Sequence, residues 1–132
     1  MNREQYLEYV DHFNNKRYDA VTSYFAPDVT VEYPTKWGDT TLHSRQEFID
    51  WYKNLHAHVR EVLEVGDYLA SEDMIAVELY TEFHCFKDFM EYFKKGDVMI
   101  MTHWVIYDLE DGKMKRIRIL HFRDYDPKLA KF

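Results

Sequence analysis

The sequence predicts an α+β domain, and three observations carry that reading. Apolar residues recur three or four apart over residues 3–15, 18–25 and 45–58, the spacing of a helical face. From residue 60 onward they fall into strand-like runs. These runs are broken by Ser71-Glu72-Asp73, Lys94-Lys95-Gly96-Asp97 and Glu110-Asp111-Gly112. Helices first and strands last require a sheet whose apolar face packs on the helices.

Taken in order, Tyr6, Tyr9, Val10 and Phe13 share one side of a first helix that Asn14-Asn15 ends. Val21, Tyr24 and Phe25 share a side of a shorter second helix. Ala26-Pro27-Asp28 stops it, and residues 29–33 read as a strand closed by Pro34. The segment PTKWGDTTLH, residues 34–43, reads as a loop. Ser44 and Glu47 fit a capping box at the start of helix three, which sets Phe48, Trp51, Tyr52, Leu55 and Val59 on its apolar side. Runs at 61–70, 74–86, 98–108 and 113–124 then form an antiparallel meander. With 132 residues and no repeat, low-complexity tract or linker, residues 1–132 are expected to form one domain.

A formal charge of −7 excludes the basic surface that binding nucleic acid requires. No apolar run is long enough to span a membrane, and the N-terminus lacks the order of a signal peptide, so a cytoplasmic protein is expected. One cysteine, Cys85, allows no internal disulfide and lacks an evident base. The aromatic fraction of 17% is high enough to fill a thick core, line an apolar cavity, or both.

Histidines are the main candidates for chemistry. His121 follows Ile117 and Ile119 at period two, opposite Arg116 and Arg118, and is expected to point inward as a buried proton-transfer group. His103 depends on hairpin register: a three-residue Glu110-Asp111-Gly112 loop faces it with Ile119, and a four-residue loop turns it away. His84 shares a strand face with Glu78, Tyr80 and Glu82, an exposed set unless a bulge intervenes. His56 and His58 diverge on a helix and no partner completes a metal site, so no metal is expected. The four glycines are scattered in turns, so no nucleotide cofactor is implied. Residues 88–93, DFMEYF, are an apolar segment suited to an exposed contact.

This order of elements, together with FAPDVTVEYP at 25–34 and HWVIYDLEDGKMKRIRIL at 103–120, resembles the nuclear transport factor 2-like superfamily over nearly the whole chain. The resemblance implies a cone-shaped, cystatin-like roll: three N-terminal helices packed on a curved, mainly antiparallel sheet, with an apolar pocket at the open end. It includes SnoaL-like polyketide cyclases, scytalone dehydratases and ketosteroid isomerases, as well as transport and scaffold proteins without activity. Tyr33, at the end of the first strand, would line the pocket. Ketosteroid isomerases carry an aspartate there and an acidic donor near Thr102, so their chemistry does not carry over, although Tyr9 matches their helix-one tyrosine. Scytalone dehydratases are similar at Tyr33; their neighbouring tyrosine and aspartate fall on Phe13 and Asn14, and their histidines near Arg60 and near His84 or Cys85.

The expectation is therefore a cofactor-independent acid/base enzyme, a cyclase, isomerase or dehydratase acting on a small apolar oxygenated molecule such as a polyketide or terpenoid intermediate. His121, Tyr33 and His103 are the catalytic candidates. Tyr9, Phe13, Asn14, Trp51, Tyr52, His58, Arg60, Phe83, His84 and Ile119 are the candidates for binding the ligand. The alternative is a non-catalytic ligand-binding or dimerisation module. A homodimer is expected through the outer sheet face, where Tyr80, Met114, Leu120 and Phe122 are placed.

Overall fold

The computed structural model describes residues 1–35 and 38–132, with Thr35 and Gly38 described by their backbone alone. Helix α1 spans Arg3–Asn14 and opens on a reciprocal cap: Asn2 Oδ1 accepts the Gln5 N–H and Gln5 Oε1 accepts the Asn2 N–H, both at 2.8 Å. The short α2, Tyr18–Thr22, ends before Tyr24, because strand β1 (Phe25–Thr35) begins four residues earlier than its period predicts. Pro27 is tolerated there because β1 pairs irregularly between Phe25 and Thr30, where no ladder hydrogen bond is required of it. Strand β2, Gly38–Leu42, lies in the segment read as a loop. It pairs antiparallel with β1, Tyr33 opposite Thr40, and its Gly, Asp and Thr residues mask it in the sequence.

Helix α3, Arg45–His56, is capped by Ser44 Oγ, which accepts the Glu47 N–H at 3.1 Å. The capping box is half made, since the Glu47 carboxylate reaches the His43 N–H at 3.4 Å instead of Ser44. Strands β3 (Val59–Ala70), β4 (Met74–Cys85), β5 (Val98–Glu110) and β6 (Lys113–Tyr125) form the antiparallel meander. The sheet order is β2-β1-β6-β5-β4-β3, with β1 parallel to β6. This is the cone-like α+β roll, its concave face covered by α1 and α3. Among the described residues no helix is long and apolar enough to cross a membrane.

The β5–β6 hairpin closes with a two-residue turn, in which Asp111 (φ 52°) and Gly112 (φ 76°) both take the left-handed conformation that such turns demand. A two-residue turn alone would set His103 opposite Leu120 and face it outward. A bulge at Lys115 restores the other parity: Met114 is fully buried, Lys115 and Arg116 both point outward, and Ile117 returns inward. Met114 therefore belongs to the core and not to the outer face. A second bulge, at Phe122, turns Phe122 and Arg123 outward together and brings Asp124 back to the concave side.

Two part-buried links hold the structure together. The Asn14 amide bridges α1 to β3, donating to Leu63 C=O and accepting from Leu63 N–H, each at 2.9 Å. On the convex face, Glu82 is completely buried, contrary to its expected exposure. The C-terminal segment folds over it: Lys131 N–H and Phe132 N–H donate to its carboxylate at 2.8 and 3.2 Å, joined by Tyr80 O–H at 2.6 Å and His84 at 2.7 Å.

Burial alone would push the Glu82 carboxyl up, but these hydrogen bonds outweigh it and hold it at about 2 against an ordinary 4.5. A depressed carboxyl contributes stability that is complete above its unfolded value and is lost as pH falls through the folded one. Urea unfolding should therefore show stability declining between pH 4.5 and 2, and Glu82→Gln should remove part of that slope. An unchanged slope would mean that the tail is not fastened by ionised Glu82. Asn14→Ala should lower stability by about 2 kcal/mol, since two part-buried backbone groups lose their partners; a change below about 0.5 kcal/mol in the same assay would contradict that role.

Candidate functional site

The concave face holds two adjoining spaces that share three lining residues. An inner chamber of about 50 Å³ lies against α1 and α3, with Tyr9, Phe13, Phe48, Tyr52, Leu79, Val105 and Ile117 in its walls. An outer cavity of about 320 Å³ opens beyond it, lined by Trp51, Leu55, Phe83, Met99 and Met101. Residues 86–97, between β4 and β5, cover the outer cavity with Phe89, Met90, Tyr92 and Phe93. The DFMEYF segment thus contributes part of its apolar surface to the pocket. Tyr33, His103 and Ile119 line both spaces and form the neck between them.

At the closed end, Tyr6 and Tyr107 join hydroxyls at 2.6 Å, and Tyr9 sets its ring perpendicular to Tyr107. This seals the floor with aromatic area whose hydroxyls satisfy one another. At the neck, the Tyr33 ring lies 6.5 Å from the His103 ring. The Tyr33 hydroxyl has no hydrogen-bond partner among the described residues, and burial, with the nearby Glu61 charge, pushes its ionisation far above the usual phenol value. It is therefore a neutral donor facing an apolar space.

His103 is 7% exposed, and its Nδ1 lies 3.3 Å from Thr81 Oγ1. Burial lowers its pKa to about 4; the neighbouring His121 pushes the same way and Asp124 opposes it. His103 is a neutral imidazole at neutral pH. His121 stands 6.0 Å from His103, ring to ring, at the cavity mouth. Its side chain is 42% exposed and its Nε2 pairs with Asp124 Oδ1 at 2.8 Å. The expected buried imidazole is thus a solvent-accessible one, because β6 leaves the cone at its open end.

The other candidates divide cleanly. Tyr9, Phe13 and Tyr52 line the inner chamber, Trp51 and Phe83 the outer cavity, and Ile119 both. Asn14 is spent on the Leu63 backbone. His58 turns away from both spaces; its ring stacks on Phe89 at 4.8 Å and its Nδ1 bonds Asn54 C=O. Arg60 is exposed and donates to Phe132 C=O. His84 lies on the convex face beside Glu82, since β4 pairs with β5 without a register shift from Met74 to His84 and no bulge reverses it.

Several site residues escape the sequence reading, among them Asp39 and Thr81 as well as Asp124 and Glu61. Asp124 reaches the mouth only because of the Phe122 bulge, which no periodicity announces. Glu61 lines the inner chamber, buried, with Oε1 2.9 Å from His56 Nε2, and His56 Nδ1 is 2.6 Å from the Tyr18 hydroxyl. It was legible in principle: Val59, Glu61 and Leu63 alternate on one face, and His56 follows Tyr52 by one helical turn.

The SnoaL-like domain profile matches residues 6–117. No curated protein matches the chain. Solved structures are similar across most of it. A SnoaL-like polyketide cyclase from Agrobacterium tumefaciens is 18% identical with a TM-score of 0.70, over 89% of this chain and 88% of that one. An NTF2-like protein of unknown function from Burkholderia pseudomallei is 16% identical at 0.74, over 90% and 88%. TerC co-crystallized with polyporic acid is 15% identical at 0.71, over 90% and 89%. Likeness at these identities establishes the fold.

The neutrality of His103 is directly measurable. In a nitrogen-15 NMR titration its ring should remain neutral through pH 6 and titrate near pH 4. Because the folded value lies below the ordinary 6.5, His103 costs stability as pH falls through 6.5 toward 4, and His103→Phe should weaken that loss. A midpoint near 6.5 would show an open, hydrated neck.

Proposed function

The chain belongs to the SnoaL-like domain family, and from that premise we propose that it is a cofactor-independent acid/base catalyst of the cyclase type. Its substrate would be a small, mostly apolar, oxygenated molecule such as a polyketide or terpenoid intermediate. The observation that carries this reading is the neck, where a neutral phenol and a neutral imidazole face an apolar space large enough for a bicyclic ring system.

In this reading the ligand body occupies the outer cavity and a carbonyl enters the neck. With Thr81 O–H donating to His103 Nδ1, the opposite nitrogen carries the proton and points its donor at the carbonyl oxygen. Tyr33 O–H supplies a second donor. Two donors fixed against apolar walls stabilise negative charge developing on that oxygen, and they do so without having to reorient as the charge forms. His121, held by Asp124 and open to solvent, exchanges protons with the bulk. Isomerisation, cyclisation and dehydration of a ketone all begin with this enolisation. A structural neighbour co-crystallized with polyporic acid agrees with a fold able to hold an oxygenated ligand.

The probe is α-tetralone, a neutral bicyclic ketone with exchangeable hydrogens beside its carbonyl. The protein should bind it and accelerate exchange of those hydrogens for deuterium in heavy water. Tyr33→Phe should slow the exchange by about 10²–10³-fold, the share of one oxyanion donor, while unfolding free energy changes by no more than about 1 kcal/mol. Binding without exchange would make the chain a ligand carrier, and a Tyr33→Phe variant that exchanges as wild type would remove Tyr33 from the chemistry.

We also propose a homodimer through the convex face of β5 and β6, where Leu120 and Phe122 stay 43% and 56% exposed. Light scattering at micromolar concentration should give twice the chain mass; a purely monomeric species would contradict it.

A further inference from the structure

We infer that Glu61 is the base that takes the proton from carbon, at a station in the inner chamber that the neck residues do not supply. The inference rests on the reading of the cone as a site of proton transfer.

The neck as described has donors but no strong acceptor: Tyr33 is held neutral and His103 is committed through Nδ1 to Thr81. His121 is at the mouth, beyond His103. Enolisation needs a base within reach of the C–H beside the carbonyl. Among the described residues lining the inner chamber, Glu61 is the one carboxylate. Its side chain is 5% exposed, an expensive position for a charge that merely decorates a wall.

The carboxylate is also oriented. Oε1 is fixed by His56 Nε2 at 2.9 Å, and His56 is fixed in turn by the Tyr18 hydroxyl at 2.6 Å and by the Phe13 and Tyr52 rings, whose centroids lie 5.4 and 5.6 Å away. Oε2 has no hydrogen-bond partner among the described residues. Glu61 and Tyr33 line the same inner chamber, so the carboxylate and the phenol that would hold the carbonyl oxygen face one space. One oxygen anchored and the other left to the chamber is the arrangement of a positioned base.

The step balances within the site. The C–H bond beside the carbonyl breaks, its proton goes to Glu61 Oε2, and its electron pair becomes the enolate double bond. The resulting oxygen charge is held by Tyr33 O–H and by His103. The enolate carbon then takes a proton back from Glu61, or forms a carbon–carbon bond to an electrophilic carbon of the same ligand. In cyclisation the new alkoxide finally takes up the proton, so no oxidant, reductant or cofactor enters. The inner chamber, about 50 Å³, admits the reacting end of the ligand and not its body.

The test uses the full chain and α-tetralone in heavy water. Glu61→Gln keeps the shape of the side chain and its bond to His56 but removes the base; exchange should fall by about 10²–10⁴-fold while the ketone still binds. Glu61→Asp keeps the charge and withdraws it from the chamber, and serves if the glutamine variant does not fold; exchange should fall here too. A folded variant of either kind that exchanges at the wild-type rate overturns the inference and leaves the neck reading intact, as does unfolding of both, which would make Glu61 structural. A wild-type protein that neither binds nor exchanges the ketone overturns the neck reading together with this one.

Discussion

The site depends on the two bulges in β6. A β-strand alternates its side chains strictly, so one inserted residue exchanges the two faces of everything beyond it. The two-residue Asp111-Gly112 turn sets the wrong parity for an inward His103, and the extra residue at Lys115 corrects it. The second insertion, at Phe122, then brings Asp124 to the same side as His121, close enough to bond it. Without the first bulge the neck would lose His103 and the core would lose Met114. Without the second, the mouth would lose the carboxylate that orients His121.

Given that parity, burial decides what each polar group must do. The concave face is apolar and aromatic, and a polar atom placed there is costly unless it has a partner. The protein meets this cost differently at each depth. On the floor, Tyr6 and Tyr107 satisfy one another. One level up, Glu61 is steadied by His56 and Tyr18. At the neck, His103 is kept neutral, and the Tyr33 hydroxyl faces the cavity without a partner among the described residues. At the mouth, His121 and Asp124 share their pair with solvent. Each depth thus offers a different polar partner, and a ligand that fits must be apolar along the body that lies in the outer cavity and able to accept hydrogen bonds where it enters the neck.

Much of this was legible in the sequence, and what was not has a physical reason. Helical spacing located α1 and α3 because their apolar faces recur over three turns, and for α3 the Ser44 cap is explicit as well. Period two located the four long strands and the inward course of Ile117 and Ile119, but it read the exposed His121 as buried, because it does not show where β6 leaves the cone. It could not locate β2, whose residues favour turns, or the parallel pairing of β1 with β6, which joins segments far apart in the chain. The inward His103 agrees with the three-residue alternative only by coincidence, since the turn is one residue shorter and the bulge makes up the difference. Glu82 read as an exposed charge because nothing in its own strand reveals that the chain's last residues will cross over it. Asn14 read as a ligand group because it falls where scytalone dehydratases carry an aspartate, and the Leu63 backbone that occupies its amide lies 49 residues away in the chain.

The central claim is that the neck formed by Tyr33 and His103 receives a carbonyl oxygen. A crystal structure of the protein with α-tetralone tests it most directly. The ketone oxygen should lie within hydrogen-bond distance of both the Tyr33 hydroxyl and the His103 ring, with the bicyclic body against Trp51, Phe83 and Met101. A ketone bound with its oxygen turned to solvent at the mouth, or seated anywhere outside the cone, would contradict it.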